Sequence, residues 1–68
     1  MLVEVKQHTF TWTGDLLWEE GPAHNRWAVI RPLDSGTHAR LGSGTREYDE
    51  DLIRVPLFMS IYSVTAKQ

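Results

Sequence analysis

The chain has 68 residues, a formal net charge of −2 and no cysteine. This length predicts one compact domain over residues 1–68, and the absence of cysteine excludes a disulfide framework and a thiolate metal site. The negative net charge argues against general nucleic-acid binding, which normally shows as a basic domain.

The composition predicts a folded protein without a membrane segment. Hydrophobic residues make up 41% and charged residues 24% of the chain, which is ordinary for a globular domain. Residues 1–6 show no basic stretch followed by an apolar run, so no secretory signal is predicted. The longest apolar run, residues 57–64, is too short to span a bilayer. We therefore expect a cytoplasmic protein that does not associate with membranes.

Residues 2–12 have the pattern of a β-strand whose phase changes midway. Val3 and Val5 have one parity, whereas Phe10 and Trp12 have the other. A regular strand keeps one parity facing the core, so this change predicts a bulge or a bend within the strand.

Residues 13–21 admit two structures. Thr13-Gly14 predicts a turn, after which residues 15–20 form either the returning strand of a hairpin or one helical turn. In the helical alternative, Asp15 is the N-cap and Gly21 follows the last turn. The strand is the slightly favoured alternative.

The middle of the chain predicts a hairpin. Residues 21–25 are a loop by composition, and residues 26–33 (RWAVIRPL) form a strand with Pro32 near its end. Residues 34–37 (DSGT) predict a tight turn, and residues 38–41 predict the returning strand.

The remaining residues predict further short elements. The glycines of residues 42–44 indicate a turn or a bulge before a short strand at 45–48. The acidic residues that follow favour a brief helical turn over 49–53. Residues 55–66 contain no charge and predict a C-terminal strand that is covered on both sides. One face of this strand carries Val55, Leu57, Met59 and Ile61, and the other carries Phe58, Tyr62 and Val64.

Together these elements predict a mainly β domain. The expected architecture is a small curved antiparallel sheet or partly closed barrel of roughly four to five short strands with one or two helical turns. The alternative is an α+β fold with a short helix near residues 15–20. Closure of the sheet would protect the uncharged C-terminal strand from pairing with other chains.

No motif predicts catalysis or cofactor binding. His8, His24 and His38 are too far apart in the sequence for the short spacings of metal sites. Residues 41–45 (LGSGT) lack the lysine and the following helix of a phosphate-binding loop, and no serine lies in a nucleophile motif. We therefore expect no enzyme activity, no catalytic or metal-binding residue and no cofactor.

The charge pattern and the tryptophan content favour a binding function. Acidic residues dominate 1–23 and 47–54, whereas arginines dominate 24–46, and the simplest explanation is neutralisation across neighbouring strands. Three tryptophans and an excess of arginine over lysine are also typical of interfaces. The leading hypothesis is a non-enzymatic module that binds another protein as an inhibitor or regulator. Its predicted partner-binding residues are Trp18, Glu19, Glu20, Trp27, Arg31, Arg40, Glu47, Asp49, Glu50 and Asp51.

The second hypothesis, disfavoured by the net charge, is a small nucleic-acid-binding β domain in which arginines surround Trp27 on a sheet face. It requires Trp27 to point away from the core. Trp27 and Val29 have more apolar area than Ala28 and Ile30, so we expect the core on the Trp27 side, which disfavours this function. The residues of this alternative site are Arg26, Trp27, Arg31, Arg40 and Arg46.

The third hypothesis is a structural homo-oligomer that is joined by the C-terminal strand. The uncharged, β-prone sequence of this strand would pair with copies of itself at an open sheet edge. A charge in place of Met59 or Ile61 is then expected to abolish folding. The residues assigned to this core or oligomer strand are Leu57, Phe58, Met59, Ile61 and Tyr62.

Overall fold

The computed structural model describes residues 1–7, 10–34, 46–49 and 52–67, and it gives residues 46–49 as backbone only. The strands are β1 (Leu2–Gln7), β2 (Phe10–Glu20), β3 (Trp27–Pro32), β4 (Arg46–Asp49), β5 (Leu52–Pro56) and β6 (Tyr62–Ala66). They form one antiparallel sheet in the order β4-β5-β3-β2-β1-β6. The mainly β class and the small antiparallel sheet are therefore confirmed. The described ranges contain no helix, and the sheet is not closed into a barrel because β4 and β6 pair there on one side only.

The N-terminal part of the chain forms a hairpin of two strands. β1 ends at Gln7, which pairs with Phe10 at the start of β2. The change of parity in residues 2–12 thus marks the passage from one strand to the next, and not a bulge within one strand. β2 extends as one strand to Glu20. The strand favoured for residues 15–20 is confirmed, whereas the predicted turn at 13–14 and the helical alternative are wrong.

Gly14 lies inside β2, at a position where the neighbouring atoms leave no room for a side chain. A Cβ atom at Gly14 would lie 2.5 Å from Cγ2 of Ile30 and 2.8 Å from the carbonyl oxygen of Arg31. Both of these atoms belong to β3, so glycine permits the close approach of β2 and β3. Packing across the sheet, which the local sequence does not show, therefore requires glycine at this position of the strand.

A register shift divides β2 into two parts. Leu16 lies opposite Ile30, but the next paired residue, Trp18, lies opposite Val29. Residues that are directly opposite in an antiparallel pair share a face of the sheet. Leu16 and Trp18 therefore lie on opposite faces, although regular alternation would place them on the same one.

The core lies on one side of the sheet, which we call the inner face. Its buried residues are aliphatic with the exception of Trp12, which is 4% exposed. The Trp12 Nε1–H donates a hydrogen bond to Oε1 of Gln7 at 3.2 Å, so the polar atom of this buried ring has a partner. The core cluster is Val3, Val5, Trp12, Ala28, Ile30, Ile53 and Val55, with Phe10, Leu16, Leu57, Tyr62 and Val64 packed against it.

The connection between β5 and β6 shows how strongly the sheet is curved. These strands are four positions apart in the strand order, which would separate them by about 19 Å in a flat sheet. Residues 57–61 join them and are folded into turns, in which Met59 N–H donates to Pro56 O at 3.4 Å and Tyr62 N–H donates to Met59 O at 3.0 Å. A connection folded in this way is too short to cross a flat sheet. The sheet therefore curls around the inner face, as the predicted curved sheet requires.

The C-terminal segment is not the single strand predicted for 55–66. Residues 57–61 interrupt it, because the chain must pass there from one wall of the curled sheet to the other. Phe58, Met59 and Ile61 are exposed in this connection, so the predicted alternation and the cover on both sides are wrong for them. The expectation that a charge at Met59 or Ile61 abolishes folding loses its basis.

The other predicted elements have mixed outcomes. The strands predicted for 26–33 and 45–48 are β3 and β4, whereas the helical turn predicted for 49–53 is wrong because β5 already begins at Leu52. No helix in the described ranges is long and apolar enough to cross a bilayer. Most of the turn predicted at 34–37, and both the strand at 38–41 and the turn at 42–44, lie outside the described residues.

Candidate functional site

The outer face of the sheet, opposite the core, carries Trp18, Trp27 and Arg31, three of the side chains that were predicted to bind a partner. On β3 the core residues are Ala28 and Ile30, so Trp27 and Arg31 point outward together. The expected core on the Trp27 side is wrong, because aliphatic residues of β5 lie opposite Ala28 and Ile30 and enlarge the apolar surface on that side. Val29 shares the outer face with Trp27, yet it is fully buried.

Trp27 is held between an arginine and a second aromatic ring. The guanidinium carbon of Arg54 lies 4.5 Å from the centroid of the Trp27 ring, within the range of a cation–π interaction. The ring of Phe58 lies 5.5 Å away at an interplanar angle of 78°, which is an edge-to-face arrangement. These two neighbours come from the end of the chain, one from β5 and the other from the connection that follows it.

Glu20 links this group to Trp18. Its Oε2 lies 3.3 Å from Nε of Arg54, and its Oε1 accepts a hydrogen bond of 2.8 Å from the Trp18 Nε1–H. The Arg54 and Glu20 side chains are only 21% and 30% exposed, so this ion pair is less screened by solvent than an ordinary surface pair. Each carboxylate oxygen of Glu20 therefore has a partner within the same chain.

We call this group the outer cluster: Trp18, Glu20, Trp27, Arg54 and Phe58. Trp18 is 39% exposed and Phe58 is 44% exposed, whereas Trp27 between them is half-buried. The outer cluster therefore presents aromatic surface to solvent around a charge pair that is already neutralised. Contacts within the chain connect all five of these side chains.

Glu19 belongs to a separate pair with Arg26. Glu19 lies opposite Ala28 and is therefore on the inner side of the sheet. Its Oε1 lies 3.1 Å from Nε of Arg26, and Nη1 of Arg26 donates a hydrogen bond of 2.6 Å to the carbonyl oxygen of Gly21. Gly21 has a φ of +100°, a conformation that favours glycine, and it starts the loop from which Arg26 folds back.

The structure thus brings together only part of the predicted site. Trp18, Glu20 and Trp27 meet in the outer cluster, whereas Arg31 is exposed at the other end of β3, opposite Asp15. Oδ1 of Asp15 in turn accepts a hydrogen bond of 2.8 Å from the N-terminal ammonium group of Met1. Glu47, Asp49 and Arg46 belong to β4, which is described by its backbone alone, and Arg40, Glu50 and Asp51 lie outside the described residues.

Sequence reasoning missed Arg54 and assigned Phe58 to the wrong environment. Arg54 interrupts an otherwise apolar run from Leu52 to Pro56. A single charged residue in such a strand indicates a side chain that points away from the core and needs a partner. This signal was available in the sequence, whereas the position of Phe58 depends on the turn that follows β5.

A second feature is a cleft of about 210 Å³ at one open end of the inner face. Most of its lining residues are apolar, among them Met1, Val3, Leu57 and Val64, and Glu19 is the lining residue with a charged side chain. The Glu19 carboxylate is engaged by Arg26. The charged side chain of the cleft is therefore already paired within the chain.

Neither a metal-binding cluster among the described residues nor a similarity to a known protein indicates a further site. The described residues contain no group of three or more histidine or acidic side chains that could hold a metal ion. No protein-family model, no curated protein and no solved structure matches this chain.

Proposed function

We infer that the protein is a small non-enzymatic module that binds another protein through the outer cluster, and that it acts on this partner as an inhibitor or regulator. The observation that carries the inference is that two exposed aromatic side chains, Trp18 and Phe58, belong to one contact cluster with the Glu20–Arg54 ion pair. Tryptophan and arginine are the residues that most often dominate the binding energy of protein interfaces.

The internal contacts of the outer cluster favour a protein partner with an apolar side chain at the centre of its interface. Glu20 and Arg54 neutralise each other, so covering them leaves no unpaired charge behind. Trp18 and Phe58 supply apolar area, and Trp27 between them is held by two neighbours, which lowers the entropic cost of binding. The exposed Arg31 on the same face extends this surface with a charge suited to an acidic rim on the partner.

The nucleic-acid alternative has weaker support. Stacking of a base requires an open aromatic face, but Arg54 lies over the ring of Trp27 and the edge-to-face contact with Phe58 occupies another side. Arg26 is engaged by Glu19 and by a backbone carbonyl. Among the arginines proposed for nucleic acid whose side chains are described, Arg31 is the one that shares the outer face with Trp27.

The test is affinity capture from the lysate of the native host, with and without nuclease, using matched variants. Trp18→Ala and Phe58→Ala remove the exposed aromatic groups. Leu33→Ala is the control, because Leu33 is 64% exposed and lies outside the outer cluster. We expect one protein to be retained after nuclease treatment by the wild-type chain and by Leu33→Ala, and to be lost with both aromatic variants.

Two results would overturn this function. Equal recovery of every bound protein by all four chains would show that the outer cluster contacts no partner. Recovery that disappears with nuclease and falls steeply with salt would transfer the assignment to nucleic acid, since counterion release makes such binding strongly salt-dependent.

A further inference from the structure

β6 is an edge strand, and its backbone shows which hydrogen-bonding groups face outward. It pairs with β1 in a register that sets Val64 opposite Val5, and no described strand lies on its other side. Successive residues of a strand direct their N–H and C=O groups alternately to the two sides. The N–H of Lys67 faces β1, because it donates a hydrogen bond of 2.9 Å to the carbonyl oxygen of Leu2 in that strand. The N–H groups of Val64 and Ala66 therefore point to the open side.

We propose that β6 pairs in an antiparallel manner with β6 of a second copy of this chain. Full overlap of the two strands sets Val64 opposite Val64 of the partner subunit, around a two-fold axis. In this register the Val64 N–H of each copy donates to the Val64 carbonyl of the other. Ala66 N–H donates to the carbonyl of Tyr62 of the partner subunit, and the six-stranded sheet of each subunit continues into the next.

The side chains of β6 make this register self-complementary. We call the contact between the two β6 strands the seam. Residues 62–66 (YSVTA) contain no charge, so no like charges meet across it. Ser63 and Thr65 are exposed on the outer side and would lie opposite Thr65 and Ser63 of the partner subunit, where hydroxyl groups can bond to each other. Val64 and Ala66 line the apolar cleft, so pairing would also extend the inner face.

The other edge of the sheet lacks these properties, which is why the proposal commits to β6 and not to β4. Three of the four residues of β4 are charged in the sequence (REYD), and charge is a common protection of edge strands against pairing. β6 has no charge and no proline between its first and last residue. Ile61, which precedes β6 and is 43% exposed, would be covered by the aliphatic part of Lys67 of the partner subunit.

This interface is independent of the function proposed above, because the outer cluster lies on β2, β3, β5 and the connection that follows β5, and it contains no residue of β6. A dimer through β6 would present two outer clusters to a partner. The failure of one proposal therefore leaves the other standing, and the two experiments measure different quantities.

The test is analytical ultracentrifugation of the purified full chain over a range of concentrations, with charge pairs placed across the seam. Ser63→Glu with Thr65→Lys sets opposite charges against each other between subunits, and it also suits Lys6 and Glu4, which lie opposite on β1. Ser63→Lys with Thr65→Lys sets like charges against each other. We expect a concentration-dependent dimer whose Kd changes by less than about threefold in the first variant and rises by at least about tenfold in the second.

A backbone variant tests the same seam without charge. Ala66→Pro removes an outward N–H and no hydrogen bond to β1, so it should weaken the dimer and leave the monomer folded. Ala66→Val keeps this N–H and is the matched control. Circular dichroism and thermal unfolding verify that each variant folds. A wild-type chain that stays monomeric at every concentration, or a dimer that responds equally to both charge pairs, would overturn the proposal.

Discussion

The two faces of the sheet bury residues of the same strand by different means. On the inner face, Ala28 and Ile30 are buried among aliphatic side chains from neighbouring strands. On the outer face, Val29 is equally buried, but its cross-strand neighbours are Trp18 and Arg54. Three consecutive residues of one strand thus lie in two environments, one purely apolar and one built from aromatic and charged groups.

This difference shows why the candidate site lies on the outer face. An aliphatic core is stabilised by close packing, and its buried side chains are not accessible to a partner after folding. The polar atoms of Trp18, Glu20 and Arg54 need partners in defined directions, so they hold the aromatic rings in place while leaving part of them exposed. The outer face can therefore serve both folding and recognition.

The largest effect is expected from the inner face. Ile30→Ala removes a fully buried side chain that packs against the bare backbone of Gly14. We expect a loss of about 2–5 kcal/mol in the free energy of unfolding, because a small domain has little freedom to close the cavity. Urea denaturation measures this loss. A loss below about 1 kcal/mol would contradict a tightly packed inner face.

A matched pair of valines compares the two faces directly. Val55 on the inner face and Val29 on the outer face are both fully buried, so each alanine substitution deletes the same two methyl groups. We expect Val55→Ala to cost about 2–3 kcal/mol and Val29→Ala about 1–2 kcal/mol, because side chains near the surface can relax into the space. Equal losses in urea denaturation would show that the outer face is packed as rigidly as the core.

The outer cluster should contribute less to stability than the core does. Arg54→Met removes the ion pair with Glu20 and the cation–π contact with Trp27, for an expected loss of about 1–2 kcal/mol. Glu20→Gln keeps the shape but removes the charge, for an expected loss of about 0.5 kcal/mol that shrinks in high salt. Thermal and urea unfolding at two salt concentrations measure both. A salt-independent loss for Glu20→Gln would indicate that hydrogen bonding, and not charge, is the main contribution.

The smallest effect is expected in the connection between β5 and β6. Met59 and Ile61 are each 43% exposed, so Met59→Asp and Ile61→Asp should change the free energy of unfolding by no more than about 0.5 kcal/mol. Unfolding is followed at concentrations at which the chain is monomeric. Loss of folding in either variant would restore the strand that the sequence predicts at this place.

The sequence predicts the strands whose pattern is local and uninterrupted. The residues RWAVIRPL contain four consecutive apolar residues between arginines, and they form β3 as expected. The strand favoured for residues 15–20 is likewise part of β2. In the candidate site, Trp18, Glu20 and Trp27 could be selected in advance because tryptophan and charge are visible in the composition.

Other features required contacts between residues that are distant in the chain. Position 14 of β2 requires glycine because Ile30 and Arg31 approach it closely, and the uncharged segment 55–66 is interrupted because the curled sheet must be spanned there.

By itself, the sequence determined the mainly β class, the absence of disulfides and the presence of aromatic and charged groups suited to an interface. Only the tertiary structure decided which face of β3 is the core and which side chains meet in the outer cluster. The physical reason is that alternation along a strand defines two faces but does not say which is buried. The neighbouring strands and their registers make that choice, because they set the apolar area that each face can cover.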